Sequence, residues 1–206
     1  MDDSPTKGDQ ARIEILEAAR RLFIVNGFHG TSMRAIAREA GGRAVAGLYN
    51  HFPTKEAIFA ALIEEGSPYE TIIDLLETRL DEAQTAPDFI LSALKIVLVI
   101  MPEYYDFIQL AQIDMREFEG RYVTHLLREL FFPRILAIIQ RLQTLPGLKP
   151  FNTYVVMRMM ASLGIGYMIT ERLGPAELLR QFSPEDFTDQ FAAVLLYGIA
   201  DSDTRP

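Results

Sequence analysis

The chain contains no cysteine and no tryptophan, and three histidines in 206 residues. Without cysteine there is no disulfide framework, thiolate metal site, cysteine nucleophile or thiol redox sensor. His29, His51 and His125 stand far apart. No Gly-rich phosphate loop, HExxH or Cys/His cluster accompanies them, so no catalytic residue, metal site or cofactor is expected. Long apolar runs are missing too. The longest, 96–101, falls far short of the ~20 residues a spanning helix needs. The opening MDDSPTKGDQ lacks the apolar stretch of a signal peptide. These absences predict a soluble cytoplasmic protein with no membrane partner. Strand-type alternation is also absent.

What the chain does have is 49% hydrophobic residues and a mean hydropathy of +0.09, enough for a sizeable core. Its net charge of −8 is unevenly spread. Between residues 18 and 55, Arg20, Arg21, Arg34, Arg38, Arg43 and Lys55 face Glu39 alone, a local +5 (six minus one). From residue 61 onward, 21 acids oppose 12 bases, a net −9. Such asymmetry suggests that one end meets a polyanion while the rest stays soluble, although charge also segregates by chance.

Apolar residues recur at helical spacing nearly throughout, which predicts an all-α fold of about nine helices. Ile15, Ala19, Leu22 and Phe23 mark the first, stopped by Asn26-Gly27. Thr31 is placed to cap a second helix, whose buried face is Met33, Ile36, Ala37 and Ala40. Gly41-Gly42 ends it. A short third helix spans 43–50, and Thr54 caps a fourth from Lys55, split near Gly66-Ser67-Pro68. Longer helices are expected at 87–101, 102–116, 119–144 (bent at Pro133) and 152–173. A ninth starts at Ser183-Pro184 and runs to about Ala200, with Asp186 completing the start signal.

The second and third helices make a helix-turn-helix candidate, although an ordinary helical corner has the same spacing. A helix entering a groove ~12 Å wide needs small side chains or base-edge donors, and Arg43, Ala44, Val45, Ala46 and Gly47 fit. Tyr49, Asn50 and His51 follow. Tyr49 and His51 offer donors to phosphate oxygens, though His51 reads equally well as a structural histidine. Phe52 packs inward. Lys55 stands in the first turn of the fourth helix, where the free N–H groups also favour an anion. Thr31, Ser32 and Arg34 start the second helix as further backbone contacts.

Ala18-Ala19, Leu22-Phe23, Gly27-Phe28, Thr31-Ser32, Ile36-Ala37, Ala40-Gly41, Leu48-Tyr49, His51-Phe52 and Lys55-Glu56 occur here in one order and spacing. That pattern resembles the DNA-binding domain of the tetracycline-repressor (TetR) family of transcriptional regulators. Gly41 and Tyr49 stand one residue further apart than in the usual family pattern, leaving Gly42 or Arg43 as an extra turn residue. The resemblance implies a helix-turn-helix domain at 1–53 and a helical effector-binding and dimerisation domain at 54–206. It also implies phosphate contacts by Tyr49 and Lys55, and a dimeric repressor that binds a palindromic operator and is released by a small molecule.

The resemblance further implies a four-helix dimer interface from the eighth and ninth helices. Candidates are Ala161, Gly164, Ile165 and Met168, with Phe187, Phe191, Val194 and Leu195. Family members hold an effector among the middle helices. Here Met101, Tyr104, Tyr105 and Ile108, then Met115, Phe118, Met160 and Tyr167, are candidate lining for an apolar or flat ligand, though such stripes also form ordinary core. An enzyme lacks any motif. An all-helical dimeric scaffold without specific DNA binding leaves the basic stretch unexplained.

Overall fold

In the computed structural model of the chain, the described residues are 6–175, 177 and 183–199. Every regular element among them is helical. Helix α1 (Lys7–Asn26) opens with a reciprocal cap: Asp9 N–H donates to Thr6 Oγ1 (3.2 Å) and Thr6 N–H to Asp9 Oδ2 (3.1 Å). It closes at Gly27, whose φ of +74° favours glycine. Helices α2 (Met33–Glu39), α3 (Val45–Tyr49) and α4 (Lys55–Glu65) follow. The cap of α2 is Ser32, not Thr31: Ser32 Oγ accepts the Ala35 N–H at 3.1 Å. Thr54 caps α4 as its position predicts, accepting the Ala57 N–H at 3.1 Å.

Helix α5 (Tyr69–Glu82) starts directly after the Gly-Ser-Pro break. Helix α6 (Ala86–Ile100) is capped by Thr85 and runs into a 3-10 turn (Met101–Tyr104) holding Pro102. The helix expected from 102 therefore begins later, as α7 (Tyr105–Glu117). The expected long helix 119–144 is divided into α8 (Arg121–Leu126), a π-helical stretch (Leu127–Phe131) and α9 (Phe132–Leu142). Pro133 lies in the first turn of α9, directly after the π-helical stretch. Helix α10 (Thr153–Leu173) is capped by Asn152, whose Oδ1 accepts the Val155 N–H at 3.2 Å. Helix α11 (Pro184–Ile199) opens with a Ser183/Asp186 capping box. The end expected at Ala200 lies outside the described residues.

The chain divides into two compact units: residues 1–67 with 106–127, and residues 68–105 with 128–206. The first unit contains the segment 1–53 expected to hold the helix-turn-helix. Within the first unit, Phe23, Phe28, Phe59, Phe118 and Tyr122 form one cluster, with neighbouring centroids 4.6–5.6 Å apart. These separations suit offset and edge-to-face ring packing. Asp114, fully buried, accepts the Tyr122 and Val123 N–H groups at 3.3 and 2.9 Å and so caps α8. Within the second unit, α6 packs against α5, α10 and α11, and α5 against α9. Arg134 bridges Asp74 (2.7 Å) and Glu77 (2.6 Å) between α5 and α9, and Lys95 pairs with Asp189 at 3.2 Å.

Candidate nucleic-acid interface

The turn between α2 and α3 holds two successive left-handed glycines, Gly41 (φ +85°) and Gly42 (φ +71°). This is where the extra residue goes. The α2 C-terminus is closed by the Ala40 N–H on Ile36 O (2.8 Å) and the Gly42 N–H on Arg38 O (3.0 Å). The Arg43 N–H then reaches back to Ala37 O at 2.9 Å. Helix α3 begins only at Val45, with Ala44 as a cap that offers no side-chain bond, and it buries Leu48 alone. Phe52, immediately after, is buried, with the Arg12 guanidinium 5.2 Å from its ring centroid.

Thr31 is not a surface contact. It is 3% exposed, and its hydroxyl donates to Leu22 O (3.2 Å) and Gly27 O (2.9 Å). Lys55 is also turned inward. Its ammonium donates to Phe28 O at 2.7 Å and Thr31 O at 2.6 Å and sits 4.0 Å from the Phe28 ring centroid. Two donors and a cation–π contact are spent on the loop between α1 and α2, which competes directly with a phosphate role. Burial pushes the Lys55 pKa down, against the pull of the Glu56 and Glu117 carboxylates. Arg43 is half-buried and paired with Glu14 of α1, so it does not project freely ahead of α3.

Of the six bases between residues 18 and 55, four therefore have internal partners, since Arg20 also pairs with Asp106 (3.0 Å) and Arg21 with Glu39 (3.3 Å). Among the described residues, Arg34 and Arg38 have no ion pair, and both are exposed on α2. Arg38 is absent from the sequence-predicted contacts. Its spacing of four from Arg34, which puts both on one face, could have found it. Ser32, Ala44, Ala46, Tyr49 and Asn50 are exposed as well, whereas Val45, Gly47 and His51 are half-buried. The exposed set thus combines two guanidiniums, a hydroxyl, a phenol (Tyr49, 53% exposed) and a carboxamide with small side chains on α3.

The expected effector lining is spread over both compact units. Met101, Tyr104, Tyr105, Met160 and Tyr167 belong to one compact unit, and Ile108, Met115 and Phe118 to the other. Phe118 is part of the aromatic cluster of the first unit, and Met115 is 64% exposed. Tyr104 lies 3.4 Å from the Thr71 hydroxyl, and Tyr105 lies under the Arg172 guanidinium at 3.5 Å. Two acids among these residues have structural partners: Asp114 is a buried cap, and Glu117 accepts the His29 N–H at 2.9 Å.

On α10, Val155, Met159, Ser162, Gly166, Ile169 and Leu173 recur at steps of four and three and form one outward face; all are exposed but the half-buried Gly166. A shallow depression there is lined by Tyr154, Val155, Arg158, Met159 and Phe191, among others. Of the expected interface residues, Ala161, Ile165, Phe187 and Val194 are exposed and Phe191 half-buried. Gly164 and Met168 point the other way. Both are buried, and a Cβ at Gly164 would stand 2.8 Å from Val97 Cγ1. They pack inside the chain. The Leu195 side chain lies outside the described residues. No described helix is long and apolar enough to cross a membrane.

A short capped helix, a glycine turn and a second short helix offering donors and small side chains define a helix-turn-helix protein. Residues 15–62 match the family described as bacterial regulatory proteins, tetR family. It is 43% identical over 63 residues to the HTH-type transcriptional regulator UidR of Escherichia coli K12, spanning 31% of this chain and 32% of UidR. It is 41% identical over 63 residues, 31% of each chain, to the HTH-type transcriptional repressor AcnR of Corynebacterium glutamicum. The match thus spans about a third of the length of these curated relatives. A tetR-family regulatory protein from Rhodococcus RHA1 shares the fold at a TM-score of 0.71 and 20% identity, covering 97% of this chain and 100% of that one.

Proposed function

We propose that the protein is a one-component transcriptional repressor that binds a palindromic operator as a homodimer and leaves it when a small molecule binds. The observation that carries the DNA-binding part is the exposed cluster of Ser32, Arg34, Arg38, Tyr49 and Asn50 around a recognition helix of small side chains. Arg34, Arg38, Ser32 and Tyr49 supply phosphate contacts, which position the protein, while Ala44, Ala46 and Asn50 lie closest to base edges. Selection of duplexes from a random pool, followed by gel-shift titration across salt, tests this. Arg34→Ala and Arg38→Ala should each lower the salt slope by about one. A pool from which the protein enriches no sequence would overturn the reading.

A dimer sets two recognition helices about 34–36 Å apart along the duplex. The exposed apolar face of α10 with Phe187 and Val194 supports pairing, since a face of that kind is normally covered. For the effector, the unit containing Tyr104, Tyr105, Met160 and Tyr167 offers half-buried aromatic and thioether surface suited to an apolar or flat molecule. Release requires that molecule to favour the conformer whose recognition helices do not fit successive grooves.

A further inference from the structure

We propose that Arg43 and Glu14 form a brace that sets the pitch of α3 against α1, so that Arg43 is a positioning residue and not a base reader. The proposal rests on the DNA-binding reading above. The N-terminal end of α3 has little else to hold it. Gly41 and Gly42 carry no side chain, and a Cβ built at either would meet nothing within 4 Å. Ala44 gives no cap bond, and the sole buried residue of the five-residue helix, Leu48, is near its other end. Arg43 is the first side chain after the turn that reaches across to another helix.

The pair is built from both sides. Arg43 Nη2 meets Glu14 Oε2, and the other carboxylate oxygen, Oε1, accepts from Gln10 Nε2 at 3.2 Å, which fixes the plane of the carboxylate. The Arg43 backbone is pinned by its N–H on Ala37 O, so the side chain starts from a fixed point. Its Nε is buried and makes no hydrogen bond. An arginine merely resting on the surface until DNA arrives would keep that donor in water; here the stem is tucked against the protein. A geometry set by a charge-assisted bond between two anchored groups acts on the angle of whatever follows, here Val45 to Tyr49.

The alternative is that Glu14 only parks Arg43, and DNA takes it over. Glu14→Gln, Arg43→Ala and the double variant separate the two, titrated against the selected operator over a salt series, well below the unfolding temperature of each. The brace requires each single variant to bind roughly three- to ten-fold more weakly, the double variant to be no worse than Arg43→Ala, and the salt slope to stay unchanged. Binding by Glu14→Gln that equals or exceeds the unsubstituted protein, a slope lowered by about one in Arg43→Ala, or losses that simply add would each overturn it. Failure of the DNA-binding reading looks different: the unsubstituted protein would then select no sequence. The tie is read in that event from the same four proteins by thermal unfolding, where coupling between the two substitutions supports it and independence overturns it.

Discussion

In the first unit the five rings from Phe23 to Tyr122 point inward and touch one another, and the surface of α2 and α3 is left to polar and small side chains. In the second unit, α10 has its small, tight contact on the inside, at Gly164, and exposes Val155, Met159, Ile169 and Leu173. A unit that finishes its own core can present a polar face to a charged partner. A unit that leaves a regular apolar stripe uncovered is shaped for another apolar stripe. Under the proposed function, the first unit meets DNA and the second meets another copy of the chain.

The largest expected effect breaks the first half of that contrast. Phe59 is fully buried among four other rings, so Phe59→Ala should cost about 3–5 kcal/mol in denaturant unfolding. Next, Ile169→Asp should weaken dimerisation by about 2 kcal/mol or more in sedimentation experiments while leaving the circular dichroism of the subunit intact. If it unfolds the chain instead, the stripe is core and the contrast fails. Removing the Lys55 donors strands two carbonyls in the loop between α1 and α2, so Lys55→Ala should cost about 1–3 kcal/mol of unfolding free energy. Its salt slope on operator DNA should not change, which distinguishes an internal clamp from a phosphate contact.

The smallest effect is a pH dependence. Burial pushes the Glu117 carboxyl up, but the Arg116 guanidinium and the His29 N–H outweigh it and hold the pKa below its ordinary 4.5. A carboxyl depressed in the folded state stabilises fully above its unfolded pKa and loses that contribution as pH falls through the folded value. The difference in unfolding midpoint between the parent chain and Glu117→Gln should therefore be present above about pH 4.5, correspond to about 1 kcal/mol, and vanish in acid. A difference independent of pH would mean that charge at this position is irrelevant.

Helix positions were legible because they follow from periodicity and from local caps: Thr54, Asn152 and Ser183 each sit where a hydroxyl or carboxamide precedes an apolar repeat. At the candidate interface, exposure was half legible. Tyr49, Ser32 and Arg34 are exposed where spacing puts them, whereas Thr31, Lys55 and Arg43 have internal partners in Gly27, Phe28 and Glu14 that spacing does not show, being distant in sequence or contributed by backbone. A cation count sees charge and not what neutralises it. On α10, sequence marked small and apolar residues together, but only packing separates Gly164, which admits Val97, from Ile165 on the outside.

The paired glycines before α3 also bear on how this protein can change. Each sits in a left-handed conformation that costs other residues about 1–2 kcal/mol, so substitutions in the turn are penalised before any partner is met. Ala44, Ala46 and Asn50, by contrast, are exposed. Under the proposed function, new target preferences would thus arise by swapping side chains on a hanger whose hook is kept fixed, and a library confined to those three sites should retain folded members throughout.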